Sequence, residues 1–396
     1  MLDKILEGLT ALPHRSSTTE AEKKAAEYLR DQIQALGLSP ALEPFTAPTT
    51  FSWIYFILYF GFALAIAIHY FSAIPGFALA VLLLVLFTGE QLTWFSPLSY
   101  LVPRGPSQNL LARLDPAGAD RGTISSPPGR LVLVAHYDTS KTALAFSPGS
   151  VKFLRPSFLI SLVMIATTLV GLGIDLFKPG RPWQPLDYML IVPALYFLYG
   201  AALMVEREVR GQPVQGAADN ASGVAVAVEL MRRIKDTGAP PGYSVWLLLT
   251  GCEEVGLAGM SAFLQAHGSE LDKQKTVFLN FDNLGAGQLT FITAEGMLVP
   301  LAADPELVRL AGQLSREEPF EDVAGRGFHA LTLDTLVPRA RGYRVLSFMG
   351  LNSRGLPWPW HWHNDVLDNV DRKLVQFAAE FAWALIQRLA PAREKT

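Results

Sequence analysis

The sequence predicts an α/β protein, one sheet covered by helices on both faces, into which two hydrophobic helical hairpins are inserted. Three observations predict it. Short apolar runs end abruptly in glycine or in acidic and histidine residues, as in GRLVLVAHYD and YSVWLLLTGCEE, the pattern of buried strands. Amphipathic stretches of helical period alternate with them. Two long segments are nearly free of charge, and their length suits a bilayer.

Taken in order, the first residues, MLDKILEGLTALPHRSS, read as a short amphipathic helix, without the apolar core and cleavage site of a secretory signal. Ala21, Ala25, Leu29, Ile33 and Leu36 recur at helical spacing within Glu20 to Leu36, and Gly37 is the stop. Leu42 to Thr46 reads as an edge strand. From Phe51, FSWIYFILYFGFALAIAIHYF carries no formal charge over about the 20 residues a membrane helix needs. A Pro-Gly turn in SAIPG leads to a second run, Phe77 to Phe87, which reaches membrane length with Glu90 and Trp94 at the interface. Asn109 to Leu114 and Leu131 to Ala135 are strands.

The second hairpin begins at Pro156, runs through SFLISLVMIATTLVGLGIDLF, turns at the polar tip KPGRPWQP and returns to Glu206, with Pro193 placed to kink its last helix. Beyond it, helices are expected over Val224 to Ile234, Leu257 to Ala266, Leu301 to Leu314 and Leu374 to Leu389. Strands are expected over Val245 to Leu249, Val277 to Phe281, Gln288 to Thr293 and Arg344 to Phe348.

The totals agree with lipid contact. Half of the 396 residues are hydrophobic and only 17% are charged. A net charge of -3 gives no case for nucleic acid. The single cysteine, Cys252, excludes an internal disulfide; it is either a buried filler at a strand end or a reactive thiol. The oligomeric state is not legible.

Chemistry gathers at strand ends, where ligands of open α/β sheets collect. The run ending at Leu249 is followed by Glu253 and Glu254. Neighbouring carboxylates on irregular backbone point different ways, so one can bind a metal while the other faces the attacking water as general base. His136 follows another strand, and Asp138 two residues on can orient its ring. Asp219 precedes a helix of small residues, and Asp282 ends a third strand. His361 and His363 lie in HWHND. Two imidazoles with several carboxylates suit a pair of co-catalytic zinc ions.

The series H-x-D (His136, Asp138), D-N-x-S-G (Asp219 to Gly223), E-E-x-G-L-x-G (Glu253 to Gly259), F-D-N-L-G (Phe281 to Gly285) and H-x-x-x-D (His361, Asp365) resembles family twenty-eight of the metallopeptidases. That family holds dizinc aminopeptidases, glutamate carboxypeptidases and vacuolar membrane proteases. The resemblance implies a mixed sheet flanked by helices, of the zinc-aminopeptidase and phosphorylase/hydrolase kind. It implies two zinc ions: His136 and Asp282 on one, Glu254 and His361 on the other, and Asp219 bridging. Glu253 would then be general base and Asp138 the orienter of His136. Spacing to Asp365 favours His361 over His363, and Asp334 loosely matches an acidic position beside the substrate.

The expected product is a membrane-anchored zinc exopeptidase, an aminopeptidase acting on peptide substrates through a metal-bridged water. A one-zinc glutaminyl cyclase and an inactive membrane scaffold or receptor on the same fold are the alternatives. A single peptidase domain is expected, made of segments 1–50, 96–155 and 207–396, with transmembrane hairpins 51–95 and 156–206. Because a hairpin returns the chain to the side it left, the site survives the insertion of about 80 residues between His136 and Asp219. Lys141, Lys152, Arg155, Arg207, Arg210 and Arg104 flank the hairpins on the enzyme side, against Lys178 and Arg181 at a tip. That asymmetry predicts four spans in the inner or plasma membrane with the catalytic domain in the cytoplasm, its cleft near the lipid surface.

Overall fold

A computed structural model describes residues 1–114, 129–176 and 188–389. Its centre is a mixed sheet of nine strands: β1 (Ala41–Pro48), β2 (Arg104–Leu114), β3 (Gly129–His136), β4 (Tyr243–Thr250), β5 (Thr276–Asp282), β6 (Gln288–Glu295), β7 (Leu301–Ala302), β8 (Ala324–Phe328) and β9 (Arg344–Leu351). The order is β1-β2-β4-β3-β5-β9-β6-β7, with β8 beside β6. The middle four, β4, β3, β5 and β9, run parallel, and the flanking pairs β1–β2, β2–β4 and β9–β6 are antiparallel.

Parallel strands buried on both faces read as continuous apolar runs because each face needs its own cover. Along β3, Leu131, Leu133 and Ala135 enter one core with Ile5, Leu29, Val226 and Phe381. Val132 and Val134 enter the other with Trp246, Phe263 and Phe278. The first core is closed by helices α1 (Leu2–Thr10), α2 (Glu20–Ala35), α7 (Gly223–Thr237) and α11 (Arg372–Gln387). The second lies under α8 (Ala258–His267) and the short α10 (Leu336–Ala340).

The expected helix over 301–314 is shorter. Leu301 and Ala302 pair with Glu295 and Ala294 of β6, and the helix, α9 (Pro305–Leu314), begins only at Pro305, where Asp304 caps it by accepting from the Leu307 N–H.

Four apolar helices pack into a separate cluster: α3 (Ser52–Phe71), α4 (Ala73–Gln91), α5 (Leu154–Leu176) and α6 (Ile191–Arg210). Among the described residues, three helical stretches are long and apolar enough to cross a membrane, Ser52–Phe71, Ala73–Gln91 and Val151–Leu176. α6 is as long as α3, but its last turns carry Glu206, Arg207, Glu208 and Arg210. The tip at 178–185, and Lys178 and Arg181 with it, lies outside the described residues.

Only Ser72 separates α3 from α4, so the Pro-Gly turn expected in SAIPG is absent. Pro75 and Gly76 sit in the first turn of α4, where proline's missing N–H costs nothing. A Cβ on Gly76 would meet the His69 backbone at 2.6 Å, so glycine permits that close approach. α6 lies along α3, with Phe62 and Phe197 stacked 5.0 Å apart. Outward from this bundle, Ile74, Val163, Val170 and Leu195 are more than half exposed.

Candidate metal centre

Parallel register delivers the site. His136 at the end of β3 stands opposite Thr250 at the end of β4, and Asp282 closes β5 on the same edge. Past Thr250 the chain turns through Cys252 at φ 55 and Gly256 at φ 88, which presents Glu253 and Glu254 above the sheet. Asp219 rides an irregular segment, Ala217–Ser222, at the head of α7. His361 comes from the loop after β9, itself in the left-handed region at φ 47.

These six side chains converge. Candidate ligand atoms of His136, Glu253 and Asp282 lie within 4.8 Å of one another, as do those of Asp219, Glu254 and His361. Asp219 faces both groups, with Oδ1 3.2 Å from His136 Nε2 and Oδ2 3.0 Å from His361 Nε2. His136 Nε2 is 3.8 Å from Asp282 Oδ1, and His361 Nε2 is 3.0 Å from Glu254 Oε1. Glu254 Oε1 is buried, and despite that approach it makes no hydrogen bond. Two lone-pair donors aimed at one point are how ligands of a shared cation stand, so the residues fit divalent metal. His363 is exposed and rests on Trp362 instead, with ring centroids 5.1 Å apart.

Asp138 does more than orient a ring. Its backbone carbonyl is 3.3 Å from His136 Nδ1, which turns Nε2 towards the centre. Its buried carboxylate accepts from the Ser17 hydroxyl at 2.7 Å and from the Glu253 and Glu254 N–H groups at 3.1 and 3.2 Å. One carboxylate therefore fixes both glutamates. Asp365 plays the matching part for Asp219, accepting from the Ala218 and Asp219 N–H groups at 2.6 and 3.2 Å. Asn220 donates to the Phe281 carbonyl and accepts from the Gly223 and Asn283 N–H groups, so the segment holding Asp219 is stitched to the end of β5.

One contributor, Arg15, carried no signal that sequence reading used, and the role of another, Asp365, was not read. Arg15, fully buried, donates to the carbonyls of Tyr137, Gln215 and Gly216, which ties the N-terminal loop to both ligand loops. Asp365 stood in a motif by spacing alone. Asp334, loosely matched from sequence, is buried and accepts from the Thr250 hydroxyl at the end of β4. The Cys252 thiol is buried, which pushes its pKa well up and keeps it unreactive.

Charge is concentrated here in a dry place. Burial opposes a charge on His361, yet Glu254 and Asp219 raise its imidazole to about 9. Burial also opposes a charge on His136, but Glu253, Asp138, Asp219 and Asp282 hold it well above the ordinary imidazole value. Burial would raise Asp219; the two imidazoles overrule it and hold the carboxyl low. Burial lifts Glu253 well above the carboxylate range, Glu254 and Asp334 add to the lift, and His136 opposes it. Cations bound beside this carboxyl would lower it again.

The centre opens into a cavity of about 650 Å³ lined both by enzyme-domain residues such as Phe146, Leu333 and Trp360 and by residues of α3, α4, α5 and α6.

Residues 202–386, just under half of the chain, match the model of peptidase family M28. The alkaline phosphatase isozyme conversion protein of Escherichia coli (strain K12) is 30% identical over 122 residues, which are 31% of this chain and 32% of that protein. The match thus spans about a third of the curated relative. Among solved structures, a glutaminyl cyclase of Tannerella forsythia superposes with TM-score 0.57 at 15% identity, covering 98% of each chain. The zinc aminopeptidase BSAP of Bacillus subtilis gives 0.56 at 15%, covering 97% of this chain and 93% of its own. A Zn-dependent exopeptidase of Parabacteroides distasonis gives 0.54 at 14%, covering 98% and 97%. At these identities the likeness shows the fold, a mixed α/β sheet flanked by helices.

Proposed function

Starting from a zinc metallopeptidase hydrolase, which the family M28 match and the zinc-aminopeptidase fold support, we propose that this chain is a membrane-anchored exopeptidase, an aminopeptidase acting on N-terminal peptide bonds. The observation that carries the reading is the pair of three-residue groups joined across Asp219.

His136 and Asp282 would hold one zinc and Glu254 and His361 the other, with Asp219 shared. When bound, the ions polarise the scissile carbonyl and make water nucleophilic at neutral pH. The chain's own residues do the rest. Glu253 takes the proton of the attacking water and returns one to the leaving amine. Asp138 and Asp365 keep Glu253, Glu254 and Asp219 in place through backbone hydrogen bonds. Phe146 and Trp360 pack around the His361 ring, with centroids 4.4 and 5.3 Å away, and shield it from water.

The peptidase domain is one unit built from segments 1–50, 96–155 and 207–396. Hairpins 51–95 and 156–206 carry four spans and hold it against the inner or plasma membrane, catalytic side to the cytoplasm. Purified full-length protein in detergent should contain close to two zinc ions per chain and hydrolyse aminoacyl reporters, and a chelator should remove both properties. Zinc without hydrolysis of any reporter would sink the aminopeptidase reading. The glutaminyl cyclase likeness favours a second reading, cyclisation of N-terminal glutamine at one zinc. One ion per chain, with cyclisation of glutaminyl peptides, would select it.

A further inference from the structure

The cavity at the metal centre continues beyond the enzyme domain. From His361 it passes Phe146 and Trp360, then runs between the apolar helices, where Tyr59, Phe87, Phe158 and Leu203 wall it. Tyr59 is two turns into α3, about 10 Å along the helix from its first residue. The charged groups lining this part, Glu90, Glu206, Arg207 and Arg341, sit outside the middle of the bundle, at helix ends or in the enzyme domain. A single hollow therefore joins a site built for amide hydrolysis to an apolar slot reaching about a third of the way through a bilayer core of about 30 Å.

Its size restricts what enters. A helix is about 10–12 Å across with side chains, so a volume of this order would take little more than one turn of it. One extended chain fits. Building on the aminopeptidase reading, we propose that the substrates are amphiphilic amino-acid or peptide amides bearing one linear apolar chain. The chain lies in the slot between α3 and α6 while the amide bond meets the metal centre. In the reaction the amide C–N bond breaks, water gives its hydroxyl to the acyl carbon, and Glu253 passes the proton to the departing amine. The chain can belong to the departing amine, as in aminoacyl alkylamides, or to the acyl side, as in N-acyl amino acids.

Both series, in rising chain length, are given to the full chain in lipid nanodiscs, beside a short aminoacyl reporter. In one series kcat/KM should rise by up to about fourfold per added methylene and then flatten when the slot is full. Leu203→Trp fills the slot between the apolar helices, at a residue that makes none of the metal-centre contacts described above. It should leave the short reporter within twofold of the parent and cut the longest substrate at least tenfold. Because parent and variant see the same substrate, partitioning into lipid cancels. No rise in either series, or a rise that Leu203→Trp leaves intact, would overturn the proposal.

A long-chain amide with a diazirine at its tip supplies a readout that needs no turnover and no variant. Crosslinks should map to residues that wall the slot, within 52–62, 83–91, 154–162 or 196–207. Labelling there without hydrolysis of any amide would refute the aminopeptidase and keep the slot. Labelling confined to other segments would refute the slot.

Discussion

Glu253 and Glu254 are adjacent in sequence and are proposed to have opposite duties, a division that substitution separates. Glu253→Gln should keep its metal while turnover falls by about 10²–10⁴-fold. Glu254→Ala should lose metal, read by plasma emission analysis of the purified protein. Asp138→Asn puts an NH₂ where a carboxylate oxygen accepts N–H groups of the glutamate turn, and zinc affinity should fall about 10–100-fold. The metal-free imidazole of His361, raised to about 9, is protonated at pH 7, whereas a zinc ligand is neutral. Zinc binding must therefore expel protons, and affinity should climb as pH rises towards 9. Calorimetry in two buffers of different ionisation enthalpy measures that release; none at pH 7 would contradict the assignment. His136, Asp219, Glu253 and Asp282 were legible because each stands at a strand end or helix start that its own neighbours announce. Arg15, and the part Asp365 plays beyond its motif position, were not, because the carbonyls and N–H groups they bind lie more than a hundred residues away.

At the scale of elements, apolar runs between glycines located the strands, since burial on both faces leaves no polar alternation to misread. Boundaries were less legible: tertiary contacts, not composition, start α9 at Pro305 and place Pro75 and Gly76 inside α4. The short strand β8 and the five-residue helix α10 escaped notice for want of a period. Where α7 meets β5, Gly223 permits contact, as an added Cβ would lie 2.1 Å from the Phe281 carbonyl. Gly223→Ala should cost about 1–3 kcal/mol and weaken zinc binding, because the shift reaches Asp219. Gly342, at φ 85 with open space around it, is the contrast. Gly342→Ala should cost about 1–2 kcal/mol through backbone conformation alone and leave metal content unchanged. Thermal melts with metal analysis separate the two.

For the whole molecule, hydropathy made the apolar helices visible, but orientation rests on basic residues that the structure finds occupied. Arg207 is buried, and Lys141 pairs with Glu208 at 3.1 Å. A direct measurement decides orientation. The single cysteine is buried, so cysteines introduced at exposed Ser72 and Gly149 report alone. An impermeant maleimide should label Ser72→Cys and Gly149→Cys from opposite faces of sealed vesicles, and labelling from one face would end the spanning assignment for α3.

Arg207 has a mechanical corollary. Near the end of α6 it donates to Thr50 and Ser52 at the head of α3 and to Ser140 at 3.1 Å, two residues past Asp138. In the proposed membrane setting, thinning or thickening of the lipid would change helix tilt, and this guanidinium would hand the movement to the strand-end loop that seats the glutamates. Turnover should accordingly peak at one acyl-chain length of the host lipid, and Arg207→Lys, which keeps the charge but loses the fork, should flatten that peak.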